Sequence, residues 1–243
     1  MAEQIFGGNT TYGQLAGILM TDSVIPRIPG DPGHAETLPF PVRYGIIKGF
    51  PFEDLIHIKK DNLHIVIDTV KTLEKEGVNF IAADCGLFAP FQQDIVNHLS
   101  IPFIGSALDL IPLLSRFLPP DKKIGVITGD TRILKEAHLK CCGADISRLV
   151  ITGMEKSSEF KSVVLERGNV LNTEAMRQGV INAAKPLVKI KNSIGAVILE
   201  CSNLATFRSD IQKLLKVPVY DIVSLIEFFS SGYRIKKFVS DYI

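Results

Sequence analysis

The chain has 243 residues, a formal charge of +1, 46% hydrophobic residues and a mean hydropathy of +0.22. That balance, with no basic stripe interleaved with aromatics, excludes nucleic acid and acidic membranes as electrostatic partners. No apolar run approaches the roughly 20 residues of a spanning helix, Met1–Gly8 has no secretory signal pattern, and four cysteines are too few for a disulfide scaffold; the expected location is the cytoplasm.

Taken in chain order, short apolar runs bounded by Gly, Pro or Asp alternate with segments of helical period. The runs predict strands over Leu15–Thr21, Arg43–Ile47, Val78–Ala83, Ile101–Ile104, Ile124–Thr128, Arg148–Ile151, Ala196–Leu199 and Val217–Tyr220. Between them the pattern predicts helices near Asp61–Glu76, Ala89–Leu99, Leu108–Phe117, Thr131–Cys141, Ser157–Val164, Thr173–Lys191, Ala205–Lys216 and Val223–Phe229. Ile25–Pro41 is rich in proline and glycine and reads as a long irregular loop, a type often used as a lid or binding loop. Alternation of this kind predicts an α/β protein built from mainly parallel sheets.

Two stretches of the chain are copies of one motif. Ala83-Asp-Cys-Gly-Leu-Phe-Ala-Pro-Phe91 and Leu199-Glu-Cys-Ser-Asn-Leu-Ala-Thr-Phe207 align without a gap at a constant offset of 116 residues, and the match continues to Pro102 and Pro218. Cys85 and Cys201 hold the same place in the two copies, each preceded by an acid, Asp84 or Glu200. The repeat predicts two pseudo-symmetric lobes, residues 1–120 and 121–221, with helix 222–243 completing the first. An eight-stranded barrel has the same strand count, but the proline-rich loop and uneven helix spacing suit two lobes better.

Each cysteine follows a buried-looking strand, at the end where parallel sheets place their ligands. Two thiols facing each other across a cleft form a two-base pair. One thiolate removes a weakly acidic α-proton from one side of a carbon, and a neutral thiol returns a proton from the other, with no cofactor. A lone buried cysteine is ordinarily packing, and the unrepeated Cys141 and Cys142 are read that way. Duplication argues for chemistry at Cys85 and Cys201. The neighbouring acids should point away from the cleft and support the site from behind.

At these residues the chain resembles the aspartate/glutamate racemase superfamily, in a less characterised branch with Asp-Cys-Gly and Glu-Cys-Ser-Asn motifs. The resemblance implies catalytic Cys85 and Cys201 at a lobe interface, and an isomerase, most simply an amino-acid racemase. From Thr21-Asp22-Ser23 and Ile124-Gly-Val-Ile-Thr-Gly-Asp-Thr131 it implies Asp22, Ser23, Thr128 and Thr131 near the substrate. Gly86-Leu87 stands where the family commonly has Asn-Thr, and Ser202-Asn203 where it has Thr followed by His or Glu. These four also line the expected substrate site. The superfamily includes decarboxylases and dimethylsulfoniopropionate lyases, so a lyase is the alternative reading. A non-catalytic two-lobe binding protein is a third; it predicts ligand binding that survives loss of both thiols.

His34, in the loop beside Glu36, is a candidate acid or base, although a loop histidine is more often solvated. The other histidines have no metal-ligand spacing, so no metal is expected. No glycine motif for phosphate is present. The expected partner is a small carboxylate, and a homodimer is the expected assembly.

Overall fold

The computed structural model describes residues 7–235; the predicted roles of residues 1–6 and 236–243 fall outside the described residues. Eight strands form two parallel sheets. The first contains β1 (Ala16–Thr21), β2 (Val42–Ile47), β3 (Phe80–Ala83) and β4 (Phe103–Ile104) in the order β2-β1-β3-β4. The second contains β5 (Lys123–Thr128), β6 (Leu149–Gly153), β7 (Ile194–Leu199) and β8 (Val219–Tyr220) in the equivalent order β6-β5-β7-β8. All eight predicted strands are present, shifted by one or two residues at their ends. Parallel strands covered on both faces read as unbroken apolar runs, and all four residues of β3 are buried. The edge strand β2 instead exposes Tyr44 and Ile46.

The two sheets share an inner core. Ile124, Val126, Ala196 and Ile198 of the second sheet pack in one cluster with Ile18, Phe80, Ile81 and Ala82 of the first. Leu110, Ile111 and Leu114, on the helix Leu110–Phe117, lie in the same cluster. The outer face of the second sheet, with Ile127, Val197 and Leu199, packs under the long helix Thr173–Lys189. The last helix, Ile222–Tyr233, brings Phe229 and Tyr233 to within 6.0 and 5.9 Å of the Phe80 ring, on the first sheet.

Several helices depart from their sequence pattern, among them Ala89–Leu99, which is α-helical only over Gln92–Val96 after a 3-10 turn. Only Glu136–Lys140 of the segment Thr131–Cys141 is helical, because Asp130 ties the preceding residues into a turn. Its carbonyl accepts from the amides of Ile133 and Leu134, and its side chain from that of Arg132. The segment Ser157–Val164 becomes one α turn followed by a π turn over Lys161–Leu165. A short helix, Phe52–His57, was not anticipated.

Candidate active site

The sequence repeat is a backbone repeat. Cys85 and Cys201 are both extended, at φ −135°, ψ 123° and φ −77°, ψ 124°. Each opens a 3-10 turn, Gly86–Phe91 or Ser202–Phe207, that leads into a helix, Gln92–Val96 or Arg208–Leu215. The amides of Phe88 and Leu204 donate back to the carbonyls of Cys85 and Cys201, at 3.1 and 3.0 Å. Asp84 and Glu200 donate their amides to Leu19 and Ile127 of the central strands, both at 2.9 Å. A strand that ends against its neighbour and turns at once into a helix holds the side chain at the turn over the end of the sheet.

The two turns meet at a cavity of about 70 Å³. From the first half it is lined by Thr21, Ser23, Arg27, Phe52, Asp84 and Cys85; from the second by Val164, Arg167, Cys201, Ser202 and Asn203. A second small cavity, of about 50 Å³, continues past both thiols to Leu87, Thr128, Gly129 and Glu200. Gly86 lies where the halves touch: a Cβ there would sit 2.3 Å from Glu200 Oε1 and 2.5 Å from the Glu200 carbonyl. Only glycine fits that position.

The acids before the cysteines line the two cavities, Asp84 the first and Glu200 the second, with their carboxylates held in buried hydrogen bonds. Asp84 is 2% exposed and accepts from the Thr21 amide and hydroxyl, both at 3.1 Å, and from Arg27 at 2.8 Å. Glu200 is 4% exposed and accepts from the Thr128 hydroxyl at 2.7 Å. Burial pushes both carboxyls above the usual range, only partly offset for Asp84 by Arg27 and for Glu200 by Thr128. Arg27, pulled down by burial, is held above its ordinary value by Asp84 and Asp31.

Burial also raises both thiols, and the Glu200 charge adds to it in each case. Asp84 raises Cys85 further, whereas Arg27 pulls Cys201 back down. Backbone amides oppose the rise at equivalent places, Leu87 for Cys85 and Asn203 for Cys201. An empty pocket therefore keeps both sulfurs protonated, and a substrate must bring conditions that favour a thiolate.

Of the residues predicted for the site, Ser23, Ser202 and Asn203 line the first cavity with both cysteines, and Leu87 and Thr128 line the second. Gly86 is the interface just described. Asp22 is exposed and lines neither cavity. Thr131 is turned away, donating to Glu155 at 3.1 Å in a separate cleft of about 730 Å³ that neither cysteine reaches. His34 accepts from the Glu36 amide at 3.2 Å and caps a turn in the loop. Cys141 and Cys142 donate to the His138 carbonyl, outside both cavities. Asp221 caps the last helix through Ser224 at 2.8 Å.

Sequence reasoning missed Arg27, Asp31, Phe52, Val164 and Arg167. Arg27 had a signal: it is the only Lys or Arg between Thr21 and Pro41, and a solitary cation in an apolar loop wants a buried acid. Arg167 had none; it takes a left-handed conformation at φ 58° and lies over the Phe52 ring, 5.8 Å from its centre. Among the described residues no cluster of three or more His, Cys, Asp or Glu is arranged to hold a metal, and no helix is long and apolar enough to cross a membrane.

The sequence profile of the Asp/Glu/Hydantoin racemase family matches residues 48–226. A dimethylsulfoniopropionate lyase of Durusdinium sp. clade D is 30% identical over 226 residues, 89% of this chain and 74% of the relative. Dimethylsulfoniopropionate lyase 3 of Emiliania huxleyi is 26% identical over 86% of this chain, which spans 57% of that protein. Among solved structures, a glutamate racemase isoform of Bacillus anthracis shares the fold with a TM-score of 0.56 and 19% identity, over 91% of this chain and 82% of that one.

Proposed function

Because the chain belongs to the Asp/Glu/Hydantoin racemase family, we propose that it uses Cys85 and Cys201 for acid–base chemistry at the α-carbon of a small carboxylate, in a β-elimination of the dimethylsulfoniopropionate lyase type. The observation that carries this reading is the pair of repeat-related thiols on one buried cavity between the halves. Elimination is supported by the curated relatives, lyases that align over most of this chain. The charge of the site supports it as well. Among the charged residues that line the two cavities, the acids Asp84, Asp130 and Glu200 outnumber Arg27 and Arg167, so the site suits a substrate that carries a positive group beside its carboxylate.

That positive group answers the ionisation problem. Both thiols are held protonated by burial and nearby acids, and a bound cation favours the thiolate by the same Coulomb interaction with opposite sign. The thiolate then takes the α-proton of the bound sulfonium. The C–H electron pair becomes the Cα–Cβ double bond, and the Cβ–sulfur bond breaks with its pair going to sulfur. Neutral dimethyl sulfide needs no acid to leave, and acrylate remains. The other cysteine, neutral, donates to the carboxylate while charge builds on it. Two further groups suit that carboxylate: the buried Ser23 hydroxyl, which has no partner among the described residues, and Arg167 at the rim.

Racemisation is the second reading, favoured by the presence of two thiols where an elimination needs one base. A single experiment separates the two. The full chain is incubated in deuterated water with dimethylsulfoniopropionate, and in parallel with aspartate, glutamate and a hydantoin. The lyase predicts dimethyl sulfide and acrylate. A racemase predicts solvent deuterium at the inverted centre and no sulfide, and that outcome would overturn the elimination.

A further inference from the structure

The 25–41 loop leaves and rejoins the first half of the molecule, and its middle is seated on the second-half cysteine motif. The Thr206 hydroxyl donates to the Pro29 carbonyl at 3.1 Å. Gly30, at φ 104°, approaches so closely that a Cβ would lie 2.6 Å from Thr206 Cα. Next to it, Asp31 is 2% exposed and its carboxylate accepts three hydrogen bonds. They come from Arg27 at 2.9 Å, the Gly33 amide at 2.8 Å and the Asn203 side chain at 2.8 Å.

The last of these bonds fixes an orientation. An ionised carboxylate only accepts, so Asn203 has to turn its NH2 group toward Asp31. Its Oδ1 then faces Cys201, 3.7 Å from the sulfur, where it accepts from the S–H and repels a thiolate. The counterpart of Asn203 in the first half is Leu87, which has no polar side chain to impose either state on Cys85. We propose that Asp31 is a positioning residue which, through the Asn203 amide, fixes Cys201 as the neutral, proton-donating thiol and leaves Cys85 as the base. Among the described residues, the charged and titratable groups that face Cys201 are Glu200 beside it, Asp31 and Arg27 on the loop, Asp84 and Cys85 across the cavity, Arg167 at its rim and Asp130 in the second cavity. The assignment of acid and base rests on the proposed function; the orientation of the amide and its effect on the thiol do not.

Asp31→Asn is close to isosteric. Its side-chain oxygen still accepts from Arg27 and Gly33, while its NH2 meets Asn203. The Asn203 amide must then rotate and offer its own NH2 to Cys201, which stabilises a thiolate. Loss of the Asp31 charge acts in the same direction. The readout is alkylation of each cysteine by iodoacetamide in the full chain across a pH series, followed peptide by peptide by mass spectrometry. The midpoint for Cys201 should move down by about one unit, a tenfold rise in thiolate at a given pH, with Cys85 moving much less. Asn203→Leu, which copies the first half, removes the acceptor and should lower the same midpoint by a smaller amount. The inference is overturned if neither variant moves the Cys201 midpoint, if both cysteines move together, or if only the plateau rises, as simple exposure would cause. No substrate is used, so this result stands apart from the outcome of the lyase assay.

Discussion

The two halves of the active site share a backbone and differ in how they treat charge. Around Cys85 the acid is Asp84, neutralised by Arg27, and the following residues are Gly86 and Leu87. Around Cys201 the acid is Glu200, held by a hydroxyl with no cation against it among the described residues, and the following residues are Ser202 and Asn203. Duplication delivers two thiols in equivalent places, and equivalence alone would give them the same chemistry. One thiolate and one neutral thiol require the environments to differ, and the differences lie at the residues that flank each cysteine. The proline-rich loop has no counterpart in the second half, and it supplies Arg27 to one motif and Asp31 to the other.

The strongest way to break the comparison is to remove one sulfur at a time. Cys85→Ala and Cys201→Ala should each lower kcat/KM by about 10²–10⁴, the usual worth of a positioned acid or base. If Cys85 is the base, its loss falls on kcat with KM little changed. A Cys201→Ala enzyme that keeps wild-type kcat would remove the second thiol from the mechanism. Either variant should fold, because small buried thiols leave only a small cavity.

The next largest effect concerns the acids. Asp84→Asn takes a charge from a buried ion pair in which the Arg27 side chain is only 14% exposed. Removing one partner of such a pair costs about 3 kcal/mol, and Asp31 keeps the loss at that end of the range by holding the other side of the guanidinium. Urea unfolding at neutral pH measures it. A cost near zero would mean that Arg27 is not held by Asp84 in solution.

Gly86 sharpens the comparison from the other side, since its counterpart is Ser202, a residue with a side chain. Gly86→Ala makes the halves more alike, yet its methyl would meet the carboxylate and carbonyl of Glu200. Over-packing of this kind costs about 1–3 kcal/mol. It should also lower turnover, because Glu200 lies against both thiols' cavity.

How far the sequence carries toward this picture depends on the range of the interactions. Most of the strands are legible because they are apolar runs buried by local pattern, the edge strand β2 being the exception. Cys85 and Cys201 are legible because a repeat is visible without any structure. Asp31 is not legible as part of the site, since its partner Asn203 lies 172 positions away. Thr131 shows the opposite failure: the motif sits at the end of β5 as expected, but Asp130 turns the chain and Glu155 claims the hydroxyl. Phe52 and Arg167 meet only across the cleft, through a short helix and a left-handed residue that no periodicity announces.

Glu200→Gln gives the smallest effect, and its sign is set by the same asymmetry. Burial holds the Glu200 carboxyl above its ordinary 4.5, and no cation among the described residues opposes it. A carboxyl raised on folding favours the folded state while protonated, so its contribution is fully present below its unfolded pKa. That contribution is lost as the pH rises through the folded value. Glutamine keeps an oxygen for the Thr128 hydroxyl and has no charge to desolvate. The variant should therefore differ from the parent by less than about 1 kcal/mol at neutral pH, and the difference should shift in its favour as the pH is raised from about 4.5 toward neutrality. Asp84→Asn should show a trend of the same sign, because burial raises the Asp84 carboxyl as well, but on top of a constant loss from the counter-charge taken from Arg27. Unfolding free energies of the two variants across that pH range test the offset, and curves that coincide would mean that the acids behind the two thiols are electrostatically alike.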